Sequence, residues 1–297
     1  MIDPFATAGT FAGTVKRLKR LRKTSQSKAE QRLFFKRDYW VDYPLATDLL
    51  NCLEEMYSLD GQVRPEGMFI LGPSNNGKTT VALKFMRDKL GDWNPLANTL
   101  DVPPIIKAET PPGRPSPKAL YMALLHAAGV PYNPRAVEQA LLNQVCNLFS
   151  EAGVRMVIMD EIHNGLVGSP NQQCEMLNTL KSLANMLQIS VILIGTDDAR
   201  YMFQHSHQLE SRFPEFNMPA WQFTREYSEL VDDMFAATGL DCPSPAEDYD
   251  FVDEIHRLSA GLTGLTKRLI AEAACAFIDG RTHTLDKSIL SPIARPG

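Results

Sequence analysis

The chain of 297 residues has room for two domains at roughly 150 residues each and for a substantial core. With 44% hydrophobic and 22% charged residues it has a globular composition, which excludes collagen-like, mucin-like and wholly disordered chains. The net charge of −5 hides an asymmetry between a basic start and an acidic remainder.

Residues 14–37 hold ten Lys and Arg, among them Lys16, Arg17, Lys19, Arg20, Arg22 and Lys23, against one acid, Glu30. The segment therefore carries +9, leaving −14 for the rest of the chain. Such a segregated basic arm (residues 1–37) suits a polyanion, nucleic acid above all; a solvated helix face is the competing reading. Leu18 and Leu21 have the spacing of a short amphipathic helix. Too few apolar residues accompany them for a membrane-surface role. No run approaches the roughly 18 apolar residues of a membrane span, and the first residues lack the pattern of a signal peptide. The five cysteines are odd in number and scattered, with no C-x-x-C pair; they read as thiols of a reducing cytoplasm.

Beyond the arm, apolar runs alternate with helical stretches. Strands are expected at 68–71, 104–108, 155–159, 190–194 and 216–218, with helices at 79–90, 117–128, 134–152 and 172–187. That alternation predicts an α/β domain over residues 38–222, a parallel sheet flanked by helices. From residue 223 to the end the pattern is helical, about three helices broken near 239–245 and 261–264, which predicts a small helical lid.

The first chemical signal is Gly72-Pro73-Ser74-Asn75-Asn76-Gly77-Lys78-Thr79, followed by Thr80. This is a complete G-x-x-x-x-G-K-[ST] between a strand and a helix, the context that defines a phosphate-binding P-loop. Its backbone N–H groups and the helix start face phosphates, Lys78 reaches the β- and γ-phosphates of ATP, and the Thr79 hydroxyl is a ligand for Mg2+. The matching half is an apolar strand ending in acids, Met156 to Met159 followed by Asp160 and Glu161. Asp160 is placed to hold Mg2+ through water, and Glu161 to activate a water against the γ-phosphate. With 82 positions between Lys78 and Asp160, another strand fits between the two motif strands, an arrangement that resembles AAA+ ATPases.

His163 lies two residues past Glu161 without H-E-x-x-H spacing, so it reads as a hydrogen-bonding loop residue; His205 and His207 lack a third ligand. Thr196 follows the run 191–195 and suits a polar sensor beside the γ-phosphate. Arg212 precedes the last strand, where an arginine serves as a finger into a neighbouring subunit's site; the alternative is a salt bridge to Glu210 or Glu215.

The P-loop taken with Asp160-Glu161-Ile162-His163-Asn164, Gln172-Gln173, Leu177-Asn178, Leu180-Lys181, Gly195-Thr196 and Gln208 to Phe213 resembles the TniB/TnsC family of transposition ATPases over about residues 38–285. The resemblance implies a bacterial, cytoplasmic AAA+ regulator that assembles with ATP as a ring or filament on double-stranded target DNA, selects the site and recruits a DDE transposase. It also implies a TniQ-type targeting partner, in some members a CRISPR effector. A helicase loader or replication initiator would share the nucleotide motifs. By position in related assemblies, Lys107, Arg114 and Lys118 are the candidates for duplex phosphates in a central channel, alongside Lys16, Arg17, Lys19 and Arg20 of the arm. The sequence departs from the AAA+ pattern in the lid, where Gly261-Leu262-Thr263-Gly264 has glycine at the sensor-arginine position; Lys267 and Arg268 follow one turn on.

Overall fold

A computed structural model describes residues 28–36, 39–59, 65–91, 102–203, 210–240, 248–281 and 287–290. Lys16, Arg17, Lys19, Arg20, His205, His207 and Cys242 lie outside the described residues. Two compact units are present, residues 45–74 with 78–219, and residues 1–44 with 75–77 and 220–297.

The first unit is built on a five-stranded parallel sheet: β1 (Gly67–Leu71), β2 (Ile105–Glu109), β3 (Met156–Asp160), β4 (Ser190–Gly195) and β5 (Glu215–Asn217). Their order is β2-β3-β4-β1-β5, and each neighbouring pair is parallel. β1, β3 and β4 are buried at every position, as central strands covered on both faces must be, which explains why they read as continuous apolar runs. Its helices are α2 (Pro44–Ser58), α3 (Lys78–Leu90), α4 (Pro117–Ala127), α5 (Glu138–Glu151) and α6 (Pro170–Leu187). Phe69, Leu120, Leu124, Val145, Phe149, Leu177 and Leu180 meet in one core.

Two helix starts differ from the sequence expectation for local reasons. The stretch from 134 does not enter α5 until Glu138, because Asn133 Oδ1 accepts from the Arg135 amide at 2.9 Å and turns the chain. α6 begins earlier than 172, since Ser169 caps it in a capping box with Gln172 and Pro170 opens the first turn, where a missing N–H costs nothing.

The second unit holds α1 (Lys28–Lys36), α7 (Arg225–Thr238), α8 (Tyr249–Ser259) and α9 (Thr263–Ile278). The three C-terminal helices fall where the sequence breaks place them. Tyr227, Ser259 and Thr266, all fully buried, join their hydroxyls at 2.9–3.2 Å and tie α7, α8 and α9 together. Phe35 of α1 packs against Ala271, Ala274 and Cys275 of α9, and Arg32 pairs with Asp279. One cation of the basic segment is thus held within the protein.

Candidate nucleotide site

β1 and β3 flank β4, so the P-loop after β1 and the acids after β3 emerge at the same end of the sheet, where ligands of open parallel sheets bind. Gly72 leaves β1 at φ 156°, and a Cβ there would lie 2.1 Å from the Met218 carbonyl oxygen, which excludes any side chain. Lys78 opens α3 and donates to the carbonyls of Gly72 (2.8 Å) and Pro73 (2.7 Å). Burial pushes its ammonium below the usual lysine range, opposed by the carboxylates of Glu161, Asp197 and Asp160. A lysine amine partly withdrawn from water at the mouth of a glycine-rich loop is suited to polyphosphate.

Thr79 Oγ1 donates to Asp160 Oδ2 at 2.9 Å, although the residues are 81 positions apart. Asp160 Oδ1 accepts from the Glu161 amide at 2.9 Å. The pair presents hard oxygen donors beside Lys78, a donor set that fits Mg2+ held by one carboxylate, a hydroxyl and substrate phosphates. Among the described residues there is no cluster of three or more His, Cys, Asp or Glu that would hold a metal ion alone.

Glu161 has left-handed backbone, φ 53° and ψ 39°, a costly conformation for a non-glycine residue. It turns the carboxylate out of the strand line, leaving the side chain 49% exposed with Oε2 3.1 Å from His163 Nε2. Asn164 Nδ2 donates to the Thr110 carbonyl at 3.0 Å, and Gln173 Nε2 bridges the carbonyls of Leu166 and Gly168. His163, Asn164 and Gln173 therefore shape the segment after Glu161. Thr196 follows β4 directly, partly exposed.

The remaining P-loop residues, Asn75 to Gly77, belong to the second unit. There Gly264 N–H donates to the Asn75 carbonyl at 2.8 Å, and Thr263 donates from its amide and hydroxyl to Asn76 Oδ1. A Cβ on Gly264 would sit 2.8 Å from that same Asn75 oxygen. Glycine at position 264 is thus a packing requirement. Lys267 Nζ stands 4.7 Å from the Tyr39 ring centroid, and Arg268 pairs with Glu272.

Arg212 Nη2 donates to Asn185 Oδ1 at 2.8 Å, while Glu215 is engaged by Arg200. Arg114 is exposed in the loop after β2, and Lys118 is half-buried in the first turn of α4. Lys107, grouped with them by sequence, is apart: its Nζ lies 2.9 Å from Asp160 Oδ2, with side-chain exposures of 15% and 5%. Lys107 is opposite Ile158, and alternation puts Asp160, two residues on, on that same face. A lysine inside an apolar strand was the available signal, since buried lysine needs a partner; which acid it would meet was not readable.

The model of the family described as bacterial TniB protein matches residues 32–223. The chain belongs to the TniB family. Its members are P-loop ATPases of the AAA+ fold, and ATP hydrolysis is the activity of this one. Solved structures with the same fold include the Aeropyrum pernix ORC2 protein in ADPNP–ADP complexes, at 18% identity and TM-score 0.59, covering 88% of this chain and 70% of that one. Cdc6p from Pyrobaculum aerophilum aligns at 14% identity and TM-score 0.59, covering 85% and 67%. The Aeropyrum pernix ORC1 protein in complex with DNA aligns at 16% and 0.58, covering 88% and 68%. No curated protein matches the chain. Among the described residues no helix is long and apolar enough to cross a membrane.

Proposed function

We propose that this TniB-family ATPase is a DNA-binding regulator of transposition. It assembles with ATP as a ring or filament on double-stranded target DNA, selects the insertion site together with a TniQ-type partner, and recruits a DDE transposase. The observation that carries the ATP-dependent part is the Thr79–Asp160–Glu161 constellation beside Lys78; the DNA-binding part draws on the basic arm, on Arg114 and Lys118, and on the DNA complex of ORC1 with the same fold. Contacts from such cations to phosphates make binding salt-sensitive and weakly sequence-selective.

In this reading backbone amides from Gly72 to Thr80 cradle the phosphates and Lys78 transfers its donors from the loop carbonyls to the β- and γ-phosphates. Thr79 and Asp160 would hold Mg2+, which supplies neutralisation of phosphate charge. Glu161 takes a proton from the attacking water as the bond to the γ-phosphorus forms, and Thr196 orients that phosphate. Arg212, a subunit away, stabilises charge in the transition state, so hydrolysis depends on assembly. The test is electron microscopy on duplex DNA with ADP and with a slowly hydrolysed ATP analogue, alongside DNA-stimulated phosphate release. Assembly with the analogue alone is the expected result; equal assembly with ADP overturns the γ-phosphate switch, and absence of DNA stimulation points to a scaffold with protein partners only.

A further inference from the structure

Asp160 is the most heavily used group in the described site. Its Oδ1 is taken by the Glu161 amide, and its Oδ2 receives both the Thr79 hydroxyl at 2.9 Å and the Lys107 ammonium at 2.9 Å. Both charges of the pair are largely withdrawn from water, at 15% and 5% side-chain exposure, so the ammonium is held in place and is not a passing surface contact. β2 is an edge strand of the sheet, yet Lys107 turns along it toward β3 and away from solvent.

We propose that Lys107 is a tethered cation that competes with Mg2+ for Asp160 and so sets the metal requirement of nucleotide binding. One carboxylate oxygen cannot sit beside both an ammonium and the hydration shell of a divalent cation without strong like-charge repulsion. Filling the site therefore displaces the Lys107 ammonium, and Mg2+ entry is opposed until nucleotide phosphates add their charge. Lys107 is a positioning residue in this scheme: it acts through Asp160 and makes no contact with the reacting atoms. The inference rests on the assignment of Thr79 and Asp160 to Mg2+.

The experiment titrates Mg2+ into full-length protein with a fluorescent, slowly hydrolysed ATP analogue and reads binding, with no turnover required. Lys107→Met is expected to lower the half-saturating Mg2+ concentration about tenfold or more, the scale of one charge–charge contact even in a water-like dielectric. Lys107→Arg keeps the charge and is expected to stay close to wild type. Should Lys107→Met fail to fold by circular dichroism, amine labelling of Lys107 in the wild type, read by mass spectrometry, decides instead: labelling rises as Mg2+ is added with the analogue present. An unchanged Mg2+ requirement, or labelling indifferent to Mg2+, overturns the proposal while leaving the ATPase assignment intact. Analogue binding by the wild type that ignores Mg2+ would instead refute the metal assignment itself. A fall in the salt slope of duplex binding by about 0.9 in Lys107→Met would return Lys107 to the DNA contacts and also overturn the proposal.

Discussion

Replacing Glu161 with Gln isolates the chemical step because the structure leaves so little else for the change to disturb. The two side chains have the same shape, the left-handed backbone at φ 53° is equally costly for both, and glutamine still offers an oxygen to His163 Nε2, now 3.1 Å from the carboxylate. The bond that the Glu161 amide donates to Asp160 Oδ1 uses only the backbone N–H of residue 161 and survives. What is lost is a base for the attacking water, worth about 10²–10⁴ in rate, or about 3–5 kcal/mol of transition-state stabilisation. Removing the charge also withdraws the first of the three carboxylates that sustain the Lys78 ammonium. Because Glu161 is half exposed, that contribution is screened to the scale of a surface ion pair, about 0.2–1 kcal/mol, so nucleotide affinity changes by less than about fivefold. Analogue binding measured by fluorescence and single-turnover phosphate release separate the two numbers. Hydrolysis within tenfold of wild type would refute the role of Glu161; loss of binding together with hydrolysis would place Glu161 in nucleotide recognition instead.

Arg212→Ala is expected to leave single-subunit ATP binding intact and to abolish assembly-dependent hydrolysis. Mixing it with Lys78→Ala protein restores activity at junctions joining an intact P-loop to an intact Arg212, and silence of mixed oligomers would reject the trans role. Replacing Lys16, Arg17, Lys19, Arg20, Arg22 and Lys23 by Gln is expected to flatten the slope of log K for duplex DNA against log salt by about five, at roughly 0.9 per phosphate contact; an unchanged slope assigns the arm to a protein partner. Tyr227→Phe removes a hydroxyl bonded to both Ser259 and Thr266, but those two still bond each other at 3.1 Å, so the cost is about 1–2 kcal/mol. Calorimetry should register a melting temperature lower by about 2–8 °C, and no shift would show that the trio is not a stabilising link.

What the amino-acid order determined by itself was local. The spacing from Gly72 to Thr79 can be read because each residue acts within its own turn: glycine where no side chain fits, lysine and threonine at a helix start. The strand ending in Asp160 and Glu161 is equally legible, since a strand buried on both faces is a continuous apolar run and its first acids mark its end. The three C-terminal helices follow from their glycine and proline breaks. Tertiary structure decided everything that depends on pairing between distant segments. Placing β4 between β1 and β3 brings Thr79 to Asp160, and the β2–β3 register brings Lys107 to that same carboxylate. Arg212 meets Asn185, 27 positions away along the chain. Gly264, read along the chain as a missing arginine, is a residue whose Cβ the Asn75 carbonyl would exclude. Periodicity reports which face of an element is buried, but a charge inside that face is paired by whatever the neighbouring strand presents, and strand order is a property of the whole sheet.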